Sequence, residues 1–196
     1  MNQEALWDGL YSGNGRAWRG NSRIPDPTSG DALDIGCGNG KTSSSLIDMG
    51  YRVTGIDFSA KAVESCRSLL GGSAGFLKAS ATDLPFGDGS FDYVTAVHVF
   101  EHLTDDEMGR ASSEIERVLR PGGYLFVRSF TADDMRSAKR SEGDIRYIYR
   151  YPDEMAAFFG GFETVSSGKV EETTRFGGLR SRTECLFRKP LRVPRG

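Results

Sequence analysis

The chain has 196 residues, 38% of them hydrophobic and 27% charged, and a formal net charge of −2. That length suffices for one sizeable α/β domain and is short for two, while the near-neutral balance gives no bulk attraction to nucleic acid or to an anionic membrane. The three cysteines Cys37, Cys66 and Cys185 are too widely spaced for a disulfide framework or a zinc knuckle, and no run resembles a signal peptide or a membrane span, so a reduced, cytoplasmic protein is expected.

Residues 1–30 read as an N-terminal flap. Trp7, Tyr11 and Trp18 stand among Gly9, Gly13, Gly15 and Gly20, with Pro25 and Pro27 beyond. Residues 4–10 suit a short helix and the remainder a loop, because glycine and proline break both regular periods. Three large aromatics in such a segment must either pack on the body or cover a ligand.

A βα rhythm starts at residue 31. Residues 32–35 form a first strand, and residues 42–49 a helix stopped by Gly50. Residues 52–56 form a second strand with Asp57 at its end. Ser59 can cap a second helix whose Ala62, Val63, Cys66, Leu69 and Leu70 share one face, ended by Gly71 and Gly72. Residues 75–79 are a short third strand and 83–89 a loop. Residues 91–97, the most apolar run, should be a central strand buried on both faces.

The next helix is the best specified. Thr104 and Glu107 make a capping-box pattern. Asp105 and Asp106 suit the positive end of its dipole and Arg117 and Arg120 the negative end, and Met108, Ala111, Ile115, Val118 and Leu119 form its stripe. Pro121-Gly122-Gly123 stops it, and residues 124–130 are a fifth strand. Residues 131–151 are a charged lid or insert. Pro152 opens a helix to residue 159, and the runs 162–169 and 181–187 suit an antiparallel hairpin. The sum is five βα steps and a hairpin, an α/β fold with a doubly wound, mostly parallel sheet and helices on both faces. One domain is expected over residues 1–190, with its core at 31–130 and a solvated basic tail at 191–196.

The stretch Leu33-Asp34-Ile35-Gly36-Cys37-Gly38-Asn39-Gly40 would end the first strand where ligands bind in such sheets. Gly36 and Gly38 let the backbone turn and approach a ligand closely. Asp57 follows Gly38 by 19 residues, a spacing that suits a carboxylate for ribose hydroxyls, and Phe58 can lie on a purine. A nicotinamide dinucleotide loop needs a third glycine where Lys41 stands, and its pyrophosphate is disfavoured beside Asp34, which instead favours a cofactor carrying positive charge. A Walker loop needs a glycine where Ile35 stands.

Five motifs follow in order: Leu33–Gly40, then Val53-Thr54-Gly55-Ile56-Asp57-Phe58-Ser59, then Ala81-Thr82-Asp83-Leu84-Pro85-Phe86 with Ser90-Phe91-Asp92, then Phe100-Glu101-His102-Leu103, and Arg117-Val118-Leu119-Arg120-Pro121-Gly122-Gly123. On these the chain resembles the class I S-adenosylmethionine-dependent methyltransferases. The resemblance implies a seven-stranded sheet with an antiparallel last strand and S-adenosylmethionine as cofactor. Asp34, Gly36, Cys37 and Gly38 would lie by its methionine part. Asp57 would hold the ribose, with Phe58, Thr82, Asp83 and the Leu84 amide at the adenine. His98 would lie near the methionine end, and Tyr11 or Arg19 of the flap would meet the carboxylate.

Methyl transfer from a sulfonium is an in-line displacement in which the protein supplies position and a dry site, so no single residue must be the catalyst. His98 and Arg150 are the candidates. His98 and His102, four apart with Glu101 between them, lack a third ligand, and no metal is expected. The alternating segment 144–151 reads either as a cover presenting Arg146 or Arg150 to an acidic acceptor or as a solvated strand. The absence of a substrate domain, of a basic aromatic surface and of an asparagine-proline-proline motif after the fourth strand argues for a small-molecule acceptor and against nucleic acid. A non-catalytic S-adenosylmethionine-binding sensor or assembly module is the alternative. Oligomeric state is not readable.

Overall fold

The computed structural model describes residues 2–12 and 22–191. Its elements in order are α1 (Gln3–Ser12), β1 (Asp31–Ile35), α2 (Lys41–Asp48), β2 (Arg52–Asp57), α3 (Ala60–Leu70), β3 (Gly75–Lys78), β4 (Phe91–Val97), α4 (Asp105–Val118), β5 (Leu119–Phe130), α5 (Ser137–Ser141), α6 (Pro152–Ala157), β6 (Glu163–Thr173) and β7 (Leu179–Arg188). One turn of 3-10 helix, Phe100–His102, precedes α4.

The strands form one seven-stranded sheet in the order β3-β2-β1-β4-β5-β7-β6. The first five are parallel, while β7 runs antiparallel to both β5 and β6. The order reverses between β1 and β4, and this is the switch point at which a crevice opens above the carboxyl ends of the strands. Both faces of the sheet are covered, which is why β4 alternates little and stays almost wholly buried. Ala32, Tyr93 and Phe126 pack with Leu46 of α2 on one face. Leu33, Val94, Ala96 and Leu125 pack with Met108, Ile115 and Val118 of α4 on the other.

The expected helix starts hold. Ser59 accepts from the Ala62 amide, and Thr104 and Glu107 bond reciprocally as a capping box. Three expectations are corrected. The stretch after β3 is a loop, as read at 83–89, so the sum of five βα steps becomes four steps with helices. Arg117 of α4 donates to the carbonyls of Leu84 and Phe86, which satisfies that loop's backbone without a helix. The fourth helix ends at Val118, and Leu119 already belongs to β5. Lys189 donates to the Glu116 and Leu119 carbonyls at this junction, so Pro121-Gly122-Gly123 bends within the strand instead of preceding it. Within 131–151, residues 137–141 form the short α5, and the segment beyond runs without a strand partner against the 3-10 turn, where the Ile148 amide meets the Glu101 carbonyl.

Candidate functional site

The glycine loop leaves β1 at the switch point with Gly36, Gly38 and Gly40 all in the left-handed region. At all three space is also closed, a Cβ on Gly40 standing 2.7 Å from Leu70 Cδ1. A Cβ on Gly36 would stand 2.4 Å from Val99 Cγ2, and one on Gly38 would stand 2.8 Å from the Tyr11 hydroxyl. The loop is held from below by Asp57, whose carboxylate accepts from the Gly38 amide at 3.0 Å and from the Ser59 amide at 2.9 Å. Burial raises the Asp57 pKa, and these amides oppose the shift. Cys66 of α3 donates its thiol to the Gly38 carbonyl at 3.1 Å, and its sulfur lies 3.6 Å from that of Cys37. That contact and burial push the Cys37 thiol well above its ordinary range.

Asp34 behaves differently from the expectation. Its carboxylate is wholly buried, accepting from the Ser43 hydroxyl at 2.6 Å and the Thr95 hydroxyl at 2.9 Å, and it is not one of the residues lining the cavity described below. It ties β1 to β4 and α2. Burial pushes its carboxyl up to about 6 against the pull of both hydroxyls. The folded chain therefore holds this proton more tightly than the unfolded chain, so stability falls as pH rises from the ordinary aspartate value to about 6 and is level above that. Two pH units correspond to about 3 kcal/mol. Asp34→Asn is expected to remove this slope. In urea titrations at about pH 4 and pH 7, the variant should gain roughly 2–3 kcal/mol relative to the wild type at the higher pH. Parallel pH dependences would exclude Asp34 as the titrating group.

Beside the loop lies a cavity of about 340 Å³, within the size range of small-ligand sites. Its walls are Ile35, Gly36, Ile56, Asp57 and Phe58 from the first two strands, Ala79 to Thr82 from the loop after β3, and Val99, His102 and Leu103 from the β4 end. The N-terminal segment forms part of its cover: Asn2, Gln3, Glu4 and Trp7 also line it. Helix α1 buries no residue fully and is held by polar contacts. Glu4 pairs with Lys78, Asp8 accepts from the Ser59 hydroxyl at 2.5 Å, and Gln3 bonds the backbone of Asp144 and Arg146. Trp7 stacks on Tyr11 and meets His102 edge-on. Its indole Nε1 is buried with no hydrogen-bond partner among the described residues. In the flap, Trp7 lines the cavity and Tyr11 lies against the glycine loop at Gly38.

Of the expected site residues, Gly36, Asp57, Phe58 and Thr82 line this cavity, with Cys37, Gly38 and Tyr11 adjoining the loop. Arg19 lies outside the described residues. Asp83 is exposed and does not line the cavity. The Leu84 amide, expected at a ring nitrogen, donates instead to Glu114 Oε2 at 2.7 Å. Arg150 is buried, donating to the Phe100 and Leu103 carbonyls and to Asp105, and so braces the 3-10 turn rather than facing a ligand. Arg146 pairs with Glu107 and bonds the His102 carbonyl at the cavity wall. His98 and His102 bond in different directions, to Glu101 and to the Arg146 carbonyl. Among the described residues no group of three His, Cys, Asp or Glu side chains is placed to hold a metal ion. Sequence reasoning did not single out Val99 and Ser80 as lining residues. Val99 follows the expected β4 end by two residues, but its proximity to Gly36 has no local signal.

Comparison with known proteins gives a consistent result. Residues 33–127 match the family described as "Methyltransferase domain". An O-methyltransferase of Penicillium expansum is 40% identical over 107 residues, covering 52% of this chain and 38% of the relative. A demethylmenaquinone methyltransferase of Clavibacter sepedonicus is 35% identical over 135 residues, covering 67% of this chain and 54% of the relative. The chain thus spans about half or less of the length of these relatives. The crystal structure of an S-adenosylmethionine-dependent methyltransferase from Methanosarcina mazei superposes with a TM-score of 0.72 at 26% identity, covering 83% of this chain and 93% of that one.

Proposed function

Because the chain belongs to the class I S-adenosylmethionine-dependent methyltransferase family, we propose that it transfers a methyl group from S-adenosylmethionine to a small-molecule acceptor. The observation that carries this reading is the buried Asp57 carboxylate, set between the glycine loop and an apolar slot. The donor set fits the cofactor. Asp57 retains lone pairs for ribose hydroxyls, Phe58, Ile56, Ala79 and Ala81 offer apolar walls to a purine, and Gly36 and Gly38 keep the loop free of side chains. The orphaned Trp7 Nε1 is a donor in want of an acceptor at the same wall.

The cofactor supplies an activated methyl group, so these residues bind, orient and exclude water. Trp7 and α1 cover the cavity on one side, and the strap at Arg146 borders another. The relatives act on small molecules by their names, an oxygen-methylating enzyme and a quinone-precursor enzyme among them. A reduced cytoplasmic setting is part of this reading, and the three buried, free thiols support it.

Trp7 furnishes the direct test. Titration with S-adenosylhomocysteine is expected to change the emission of a Trp18→Phe protein saturably, since Trp7 is then its one tryptophan. Trp7→Phe should abolish that signal and weaken affinity by about threefold to tenfold, the worth of one hydrogen bond. Release of S-adenosylhomocysteine on incubation with small-molecule acceptors then tests turnover. Absence of binding would overturn the proposal, and binding without turnover of any acceptor would favour the sensor reading.

A further inference from the structure

Resting on the methyl-transfer reading, we propose that His98 is the general base of the reaction, positioned by the buried Glu101 carboxylate, and that the acceptor atom is a hydroxyl oxygen of the phenol or catechol class. Four observations converge on this pair. His98 stands just past β4 with φ 61°, the one non-glycine residue in the left-handed region among those described. Such conformations persist where the surroundings over-determine them, and they gather at functional sites. Its ring stacks on Phe130 at 3.8 Å between centroids, which fixes the imidazole plane. Its Nδ1 lies 3.1 Å from Glu101 Oε1, while the other oxygen of that fully buried carboxylate, Oε2, has no partner among the described residues. The ring is 31% exposed, and its Nε2 makes no hydrogen bond to any described residue.

The chemistry follows from the tautomer. A carboxylate can only accept, so Nδ1 carries the proton and Nε2 presents its lone pair to the partly exposed side. The charged groups facing the ring are Glu101 on its own turn, Arg128 from β5 and Arg182 from β7, with Arg140 and Arg180 over the adjoining Phe130. Desolvation and the two arginines lower the His98 pKa while Glu101 opposes them, so the ring is neutral at neutral pH and able to take a proton.

The position also suits the task. His98 does not itself line the cavity beside Asp57; it adjoins Val99, the β4-end residue that lines that cavity and packs against Gly36. For His98 to act, the methyl group would have to be presented toward the β4 end of the cavity, where Val99 and His102 lie. In the step, the acceptor oxygen attacks the methyl carbon and its O–H proton passes to His98 Nε2. The carbon–sulfur bond breaks with its electron pair on sulfur, giving a neutral thioether and a methyl ether, and the imidazolium returns its proton to water. Hydroxyls of phenol acidity need such a base near neutral pH; thiols, far more acidic, do not.

Nitrogen-15 NMR of the S-adenosylhomocysteine complex tests the arrangement without turnover. With two histidines in the chain, His98→Asn assigns both rings, and asparagine tolerates the left-handed backbone. The expected result is a neutral Nδ1–H tautomer for His98 whose titration moves to lower pH in Glu101→Gln. With catechol as the probe, His98→Asn should keep cofactor affinity within about threefold and lose at least roughly 100-fold in kcat, whereas a thiophenol probe should be affected by less than about tenfold. Glu101→Gln should lower kcat and shift the acidic limb of the pH profile in the direction of the His98 titration. An Nε2–H tautomer, equal loss with both probes, or cofactor binding with no hydroxyl acceptor turned over would overturn the inference. Failure to bind S-adenosylmethionine would overturn the reading beneath it instead.

Discussion

Asp57→Ala is expected to weaken S-adenosylmethionine binding at least about 100-fold, from two directions at once. The carboxylate presents acceptors to the ribose, and each hydrogen bond to a charged group contributes roughly 1.5–3 kcal/mol. It also accepts from the Gly38 and Ser59 amides, so its loss frees the loop that shapes the cavity and leaves two amides without acceptors. A loss of about 3 kcal/mol is already more than 100-fold in affinity. Asp57→Asn, which keeps one carbonyl acceptor, should fall between. Because burial raises the Asp57 pKa, its charged form is lost on acidification sooner than for an ordinary aspartate. Wild-type affinity should therefore decline as pH falls, and the alanine variant should not share that decline. Calorimetry with S-adenosylmethionine at two pH values measures both effects. Unaltered affinity in a folded Asp57→Ala protein would remove this residue from the cofactor site.

Gly36→Ala is the second large effect, and it acts through steric exclusion. The methyl group would enter 2.4 Å from Val99 Cγ2, at a residue with φ 66°. Left-handed backbone at a non-glycine residue costs about 1–3 kcal/mol, and overpacking adds roughly 1–3 kcal/mol. The sum, about 2–6 kcal/mol, is a large part of the stability of an ordinary domain. A fall in Tm of roughly 4–24 °C is expected for a chain of this size. The two contributions are separable, since Val99→Ala removes the obstruction and leaves the backbone strain. The double variant should be more stable than the sum of the single changes requires, by about 1–2 kcal/mol in a thermodynamic cycle. A Gly36→Ala protein that melts with the wild type would show that Val99 yields freely.

Features legible in the sequence are those whose partners lie close by along the chain. The Thr104–Glu107 capping box and the Ser59 cap are satisfied within three residues, and the buried strands announce themselves as apolar runs. The place of Asp57 at the end of β2 was legible because the second apolar run stops there. Features set by distant partners were not legible. The stretch after β3 reads as a loop, but nothing local shows that Arg117, some thirty residues on, supplies its donors. The Leu84 amide is taken by Glu114 in the same manner. Arg150 resembles an exposed cation in a charged segment, yet it sits buried under carbonyls contributed from residues 100 and 103. Asp34 stands beside the first glycine of the loop, but strand alternation and the hydroxyls of Ser43 and Thr95 draw its carboxylate into the core.

The sulfur pair under the glycine loop has a kinetic use. All three thiols of the chain are buried, but they are enclosed by different parts of it. Cys37 and Cys66 are shielded by the loop and α3, whereas Cys185 lies in β7 between two strands of the sheet. A thiol reagent reaches each one only when its own enclosure opens, so labelling rates sample separate openings. Cys185 times the parting of the sheet, and the other two time the loosening of the loop. The chain thus carries its own clock for each, at positions that evolution rather than engineering supplied.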